Sequence, residues 1–567
     1  MRHPSSSGIS SSVGNRNRDG LVWVDDNGLG PVARWTRQPD IGAIERVVRR
    51  TLKLSSVAAD NDKDVCDVQF HANGEYSKLY SVSVRKEKKY ILRVSLPVDP
   101  QNKTRGEVFT LGVLRQNTDI PVPKVIAYDD TQSNEIAFEW VLMEMMPGKL
   151  AHARWRKMSF NQKEMLAKRV ADFHAQLFRC GNYGQGFRSI GTLRSPPGPT
   201  AGRETVEPGP IVDSVFFSGP RFTYPVPRGP FSCSHDWLRA YLNLIISEHS
   251  TALAKATSQN DKEHAEMILG LARKLLRMVH KIFPSLMHPA EQTILWHDDL
   301  SLKNILVDDG GRITGVIGWE CVSALPRWMA FQVPAFLRGA PRRMKPDRDC
   351  YTNVGSNSGF SSDEHEPEDE DLDNEGKTEL YWIHLMEYEQ TVLREQYHTR
   401  MRQLRPDWDR EVEEAALKVD FLGAVSKCGT QFYPVRVEQW VDAIDRKEFV
   451  PLMQVLRMGI KKSNKSEPAA HKRDPTSPLK MGTKRQDSAV FVSGSGSSVT
   501  TVSGSANVTF RSHSSHGHYG VHGHGKKDST GSVGSGQSTI SSSTTTTKSS
   551  SGSTAVVLGT VNRQPLG

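Results

Sequence analysis

Residues Ile294–Glu320 read ILWHDDLSLKNILVDDGGRITGVIGWE. An acid at Asp299 stands five positions ahead of an amide at Asn304, with His297 two positions before the acid, the pattern HxDxxxxN. Phosphoryl transfer asks a protein for positioning and charge neutralisation more than for covalent chemistry: a carboxylate to accept a hydroxyl proton, and oxygen ligands for magnesium. Asp299 suits the first role and Asn304 the second. The apolar runs Ile294–Trp296, Ile305–Val307 and Ile313–Ile317 read as short strands, separated by a polar loop and the turn Asp308-Asp309-Gly310-Gly311. A loop between short strands can hold both side chains toward one pocket. Asp and Asn also cap or turn a chain by bonding to nearby backbone, so the motif alone leaves the two readings balanced.

The second half of the stretch tips that balance. Its hairpin ends in Val316-Ile317-Gly318-Trp319-Glu320, and here the sequence resembles the aminoglycoside phosphotransferase family, a branch of the protein-kinase-like fold, most closely its fungal members of unassigned substrate. The resemblance implies an α+β, two-lobed protein-kinase-like fold with a small β-rich N-lobe and a larger helical C-lobe. It implies ATP and Mg2+ as cofactors, and a nucleotide and an unknown small-molecule acceptor as partners. In that family the hairpin ends in Ile-Asp, and the Asp chelates magnesium bridging the nucleotide phosphates. This chain has Gly318 there. A metal would be left with Asn304, the phosphates and water, helped by Asp299, and losing a transition-state charge stabiliser costs a factor on the order of 10²–10³ in rate. Glu320, two residues on and sharing a face with Gly318 in an extended segment, is the substitute metal ligand to weigh. A Glu at this place is also usual for the fungal branch.

The resemblance assigns further residues upstream. Tyr80, Val82 and Val84 alternate with polar residues, and Tyr90-Ile91-Leu92-Arg93-Val94 follows a short basic turn, the signature of a hairpin. Arg93 matches the strand cation that holds the nucleotide phosphates, against the bland alternative of a half-exposed strand arginine. Ile91, two residues earlier on the same face, would lie over the adenine. The loop Ala72–Lys78 is the candidate phosphate cover, with Ser77 where the family usually has Asn and with one glycine. Glu107 matches the helix acid that pairs with the strand cation, although Thr104 and Glu107 equally form a capping box. Ile136, Phe138, Trp140 and Leu142 alternate as a strand that ends at a hinge, Met143–Gly148. There Glu144 and the backbone of Met145 would bond the adenine edge.

Leu166, Val170, Phe173 and Leu177 form an apolar helical stripe, with His174 beside it as a packing or surface residue. Segments 187–193 and 226–238 match the fungal branch and could shape an acceptor pocket, although they equally describe surface loops. Helical spacing at Leu385–Tyr397 and Val437–Ile444 completes the second lobe.

The chain has 567 residues, a net charge of +9 and a pI near 9.1, with dispersed basic residues, which argues against a nucleic-acid role. Six scattered cysteines match no metal spacing, and no long apolar span occurs, so a reducing intracellular compartment is expected, cytoplasmic. The first residues, nearly free of acids, carry the alternative of a mitochondrial transit peptide. The expected organisation is a disordered tail over 1–40, the N-lobe over 41–147, the C-lobe with its catalytic loop over 148–343, an acidic disordered insert over 344–378, helices completing the C-lobe over 379–455, and a Ser/Thr/Gly/His-rich disordered tail over 456–567. In the last tail, His513, His516, His518, His522 and His524 read as a solvated run before a metal site, and Thr476-Ser477-Pro478 and Ser488 are candidate phosphorylation sites. The insert or the tail could engage a protein partner. Two functions follow: ATP-dependent phosphoryl transfer to a hydroxyl of a small molecule, impaired at Gly318, or a catalytically weak or inactive pseudokinase working as a nucleotide- or protein-binding module.

Overall fold

The structure, a computed structural model, describes residues 18–25, 30–54, 66–85, 88–181, 186–196, 206–284, 290–351, 379–458 and 556–557. The acidic insert beyond Tyr351, the histidine run and the candidate phosphorylation sites lie outside the described residues.

The chain opens with a hairpin of β1 (Leu21–Asp25) and β2 (Pro31–Trp35), then α1 (Ile41–Thr51). Asp40 caps α1 by accepting from the Gly42 and Ala43 N–H groups. An antiparallel sheet follows in the order β3-β4-β5-β7-β6, built from β3 (Cys66–Asn73), β4 (Ser77–Val84), β5 (Lys88–Ser95), β6 (Val125–Asp129) and β7 (Glu139–Glu144). Val556–Val557 pairs outside β6. Helix α2 (Asn102–Asn117) lies between β5 and β6.

Strand alternation sorts the sheet's two faces. Tyr80, Val82, Val84, Leu92, Val94, Trp140 and Leu142 turn toward Ala43, Ile44, Val47 and Val48 of α1. The opposite face carries Ile91, Val141 and Met143, packed with Val108 of α2. Arg93 shares the strand parity of Ile91, so the same alternation that buries the apolar core on one side delivers the cation to the other.

The expected tail over 1–40 is corrected from Arg18 onward. Leu21 and Trp23 join Leu96, Val98, Phe217 and Phe222 in a buried cluster, and the Trp35 ring meets Phe138 edge-on at 5.0 Å. Arg18 donates to the carbonyls of Pro97 and Phe217, tying the two lobes together. The Ser and Gly content masked a local signal: Asn27-Gly28 between two apolar runs is a hairpin turn pattern. The strand read from Ile136 begins three residues later, at Glu139, because Asn134 and Ala137 form a tight turn in which Ala137 has φ +59°.

The C-lobe begins with β8 (Lys149–Leu150), α3 (Ala151–Arg154) and α4 (Phe160–Leu177). A long connection carries β9 (Leu193–Arg194), β10 (Glu207–Pro208) and α5 (Ser214–Phe217), followed by the paired helices α6 (Ser234–Lys255) and α7 (Gln259–Ile282). Then come β11 (Thr293–Trp296), β12 (Ile305–Val307), β13 (Ile313–Val316) and β14 (Ser323–Pro326). Helices α8 (Glu379–Leu404), α9 (Trp408–Cys428), α10 (Pro434–Asp445) and α11 (Leu452–Met458) close the lobe, three residues past the expected boundary. These last helices belong to the same core: Tyr397, Trp408 and Trp440 are wholly buried. His174 is buried too, its ring 4.7 Å from that of Trp296 and bonded to the Tyr397 hydroxyl, a packing role.

Lys163 on α4 and Glu389 on α8 form a buried ion pair, with Nζ 2.7 and 2.8 Å from the two carboxylate oxygens. Desolvation offsets most of the Coulomb gain of such a pair. The double exchange Lys163→Met/Glu389→Leu is therefore expected to hold or raise the melting temperature. A clear fall in a thermal melt would show that the pair itself stabilises the junction.

Candidate active site

The pattern HxDxxxxN folds as a tight loop between β11 and β12. β11 pairs with β14, while β12 pairs with β13 on one side and β8 on the other. Inside the loop the Ser301 N–H donates to the Asp299 carbonyl at 2.8 Å and the Asn304 N–H to the Ser301 carbonyl at 3.0 Å. Asn304 Nδ2 donates to the Asp299 carbonyl at 2.7 Å and to its Oδ2 at 3.0 Å. One carboxylate oxygen of Asp299 is thereby fixed and the other remains for a ligand. Its neighbour Asp298 is engaged elsewhere, accepting from Arg338 at 2.8 Å and from the Trp296 indole at 3.3 Å. Both bonds to Asp298 fall on its Oδ1, so what sets Asp299 apart from the adjacent acid is its tie to Asn304 across the loop.

His297 is buried behind this acid, edge-on to Trp319 at 4.8 Å. Its Nε2 lies 3.0 Å from the Ile317 carbonyl, which can only accept, so Nε2 carries the proton. Burial lowers the His297 pKa, while partial burial raises that of Asp299 against the attraction of His297 and the bond from Asn304. A carboxylate moved upward in this way is better matched to taking a proton.

On the N-lobe side, Arg93 and Glu107 form a buried ion pair, the side chains 8% and 3% exposed. The capping-box alternative is not the one adopted. Helix α2 starts at Asn102, Gln101 is its N-cap, and the Gln101 N–H is met by Glu139 Oε1 at 2.6 Å, which leaves Thr104 inside the first turn and Glu107 free to turn to the sheet. Gly106 seats the helix: a Cβ there would meet Thr192 Cγ2 at 2.2 Å, so only glycine lets α2 approach that segment. The half-exposed alternative for Arg93 is likewise not adopted, since the residue is 7% exposed.

Sequence reasoning missed Lys103. Its ammonium, on a side chain 3% exposed, lies 2.6 Å from Glu320 Oε2, and Arg93 lies 3.8 Å from Glu320 Oε1. Burial alone would raise the Glu320 carboxyl, but Lys103 and then Arg93 more than offset it and hold it at about 2. A signal existed in the sequence. A cation in the first turn of a helix opposes the helix dipole by roughly 0.3–1 kcal/mol, so a lysine there calls for an anionic partner.

Magnesium, implied by the resemblance, meets a poor donor set. Gly318 has φ +78°, and a Cβ at this position would lie 2.6 Å from Asn304 Oδ1. The room that an Asp side chain would need is occupied by the Asn304 amide itself. Glu320, the substitute weighed from the sequence, is bound to two cations. Among the described residues Asn304 Oδ1 lies at this place and position 318 offers no carboxylate, a donor set that does not fit a metal clamped by protein carboxylates. Gly318→Asp is accordingly expected to cost about 1–2 kcal/mol, because a left-handed backbone disfavours a Cβ, and to break the Asn304–Asp299 bond. Gly318→Ala serves as the control in urea denaturation. A Gly318→Asp protein as stable as wild type would show that the loop does not hold this conformation.

The remaining expected contacts are mixed. Ile91 is buried among Val108, Val141 and Met143, with Met145 beside them, an apolar shelf next to Arg93. At the hinge, the Met145 N–H already donates to the Lys89 carbonyl at 3.2 Å and the Glu144 N–H to the Lys124 carbonyl at 2.9 Å, so neither is the donor expected for an adenine edge. The candidate phosphate cover is a short turn, Gly74-Glu75-Tyr76, closed by the Gly74 N–H on the Ser77 carbonyl at 2.9 Å. Tyr76 packs edge-on against Phe217 at 5.1 Å, and Glu75 lies within electrostatic reach of both Glu320 and Asp299. This turn brings the two halves of the site together.

Residues 67–329 match the model of the Phosphotransferase enzyme family, APH. Over this segment the chain is similar to that family. Among curated proteins, the segment's family likeness extends to a subtelomeric hrmA-associated cluster protein of Aspergillus fumigatus, 26% identical over 314 residues, covering 48% of this chain and 61% of that protein. The chain thus spans about three-fifths of the length of that relative. A protein of Saccharomyces cerevisiae named altered inheritance of mitochondria protein 9, mitochondrial, is 30% identical over 114 residues, 18% of each chain. Among solved structures, the choline kinase from Cryptosporidium parvum Iowa II aligns over 74% of this chain and all of its own, at 15% identity and a TM-score of 0.37. No described helix is long and apolar enough to cross a membrane.

Proposed function

We propose that the cleft between the lobes binds a nucleoside triphosphate, ATP in the first instance, and transfers its terminal phosphoryl group slowly to a hydroxyl of a small molecule. The observation that carries this reading is the Asp299 carboxylate, one oxygen held by Asn304 and the other without a partner among the described residues, with buried His297 behind it. As the acceptor oxygen bonds to phosphorus, the bond to the leaving nucleoside diphosphate breaks and the acceptor proton passes to Asp299. Arg93, oriented by Glu107, would meet the phosphates, and Ile91 with its neighbours would supply the apolar floor for the base. The rate is expected to be low, because no residue here supplies the carboxylate at Gly318.

A second reading, a pseudokinase that binds without turning over, is favoured by one observation: Glu320 is committed to Lys103 and Arg93. Formation of nucleoside diphosphate from ATP, followed with the full chain against a panel of hydroxylated and amino-bearing acceptors, distinguishes the two. Turnover above the rate of solution hydrolysis supports the first, and nucleotide binding without turnover supports the second.

A further inference from the structure

The cluster around Glu320 has the composition of a phosphate site already filled from within. Two cations, Arg93 and Lys103, face two anions, Glu107 and Glu320, and the four charges are unequal in their exposure. Arg93, Lys103 and Glu107 are almost sealed, whereas the Glu320 side chain is 18% exposed. Glu107 belongs to helix α2 and is locked against Arg93. Glu320 belongs to the loop that follows Gly318, beside Cys321, whose φ of +62° is uncommon for a residue with a side chain. The Lys103 ammonium bridges from Glu320 toward the Ser95 hydroxyl at 3.4 Å, and Arg93 Nε finds no acceptor among the described residues. The buried Ser77 side chain adjoins the same carboxylate. Glu75, which reaches both Glu320 and Asp299, places this cluster next to the proposed base.

We infer that Glu320 is an internal anion holding the place of a nucleotide phosphate, and that nucleotide binds by exchanging a phosphate oxygen for this carboxylate at Lys103 and Arg93, without a divalent cation. The inference rests on the proposed nucleotide-binding function and adds to it Lys103 as a phosphate ligand and Glu320 as the competitor. The physical grounds are the donor set. A carboxylate and a phosphate present the same kind of oxygens to an ammonium and a guanidinium. With Gly318 offering no oxygen, the charge of an incoming phosphate is met by the two side-chain cations in place of a metal. No bond is made or broken in the exchange.

The sign of one substitution separates this role from that of a metal ligand. Glu320→Gln keeps the shape and an acceptor oxygen but removes the competing charge. Calorimetric titration of ATP into the full chain, in EDTA and in magnesium chloride, is the experiment. Wild type is expected to bind in both buffers with comparable affinity. Glu320→Gln is expected to bind about tenfold tighter in EDTA, and Lys103→Met about tenfold weaker in both. Wild-type binding that requires magnesium, or Glu320→Gln binding that is unchanged or weaker, overturns the inference while leaving the nucleotide site standing. If Lys103→Met fails to fold by circular dichroism, the sign of the Glu320→Gln effect decides alone. Wild type that binds ATP in neither buffer overturns the proposed function, and the inference with it.

Discussion

Asp299→Asn is expected to leave the fold in place and to lower the proposed phosphoryl transfer by about 10²–10⁴-fold, the usual contribution of a positioned general base. The exchange is nearly isosteric, and an amide oxygen can still accept from Asn304 Nδ2, which now holds Asp299 Oδ2 at 3.0 Å. What is lost is the capacity to take a proton. The adjacent acid supplies the control. Asp298 is bonded to Arg338 and to the Trp296 indole, so Asp298→Asn should lower stability and leave the chemical step far less affected. Single-turnover formation of nucleoside diphosphate, with melting curves for both variants, checks the pair of expectations. An Asp299→Asn protein that transfers phosphoryl at the wild-type rate would remove Asp299 from the mechanism.

Glu107→Ala costs about 3–5 kcal/mol of folding stability, the range for removing one partner of a buried ion pair. The reason lies in what remains. Arg93 is 7% exposed, and its Glu320 contact is 3.8 Å long, so without Glu107 a guanidinium stays buried with little compensation. The double variant Arg93→Met/Glu107→Leu removes both charges and should recover most of the loss, because apolar residues of similar volume avoid the desolvation cost. A double-mutant cycle in urea therefore yields a large coupling energy. If Glu107→Ala changes stability by less than about 0.5 kcal/mol, the size of an ordinary surface substitution, the pair does not hold α2 to the sheet. Nucleotide affinity of the double variant reports the separate role of Arg93 at the phosphates.

Much of the C-lobe half of the candidate site was legible because its information is local. The strands flanking the loop, the five-residue spacing of Asp299 and Asn304, and the parity that puts Ile91 and Arg93 on one face follow from periodicities of two and from turn chemistry. Glu107 was half legible. Thr104 and Glu107 satisfy the capping-box spacing, and only the register of α2, started at Asn102 by the Glu139 carboxylate, decides that Glu107 turns to Arg93. The N-terminal hairpin was hidden by composition: Ser and Gly around it outweighed the Asn27-Gly28 sequence signal, whereas Leu21, Trp23 and Trp35 pack half-buried against the clusters beneath them.

The sequence by itself determined the fold class, the candidate loop that holds Asp299 and Asn304, the place of Arg93 on its strand and the absence of a carboxylate at position 318, since each is written in residue type and short-range spacing. The tertiary structure alone decided what that absence means. It brought Lys103 to Glu320 from the far lobe, turned Asn304 into the space a Cβ at Gly318 would need, and gave the Met145 N–H to Lys89. The physical reason is that a charge's partner and a ligand's open side are set by the path of the whole chain, and ion pairing between residues remote in sequence leaves no period for the sequence to display.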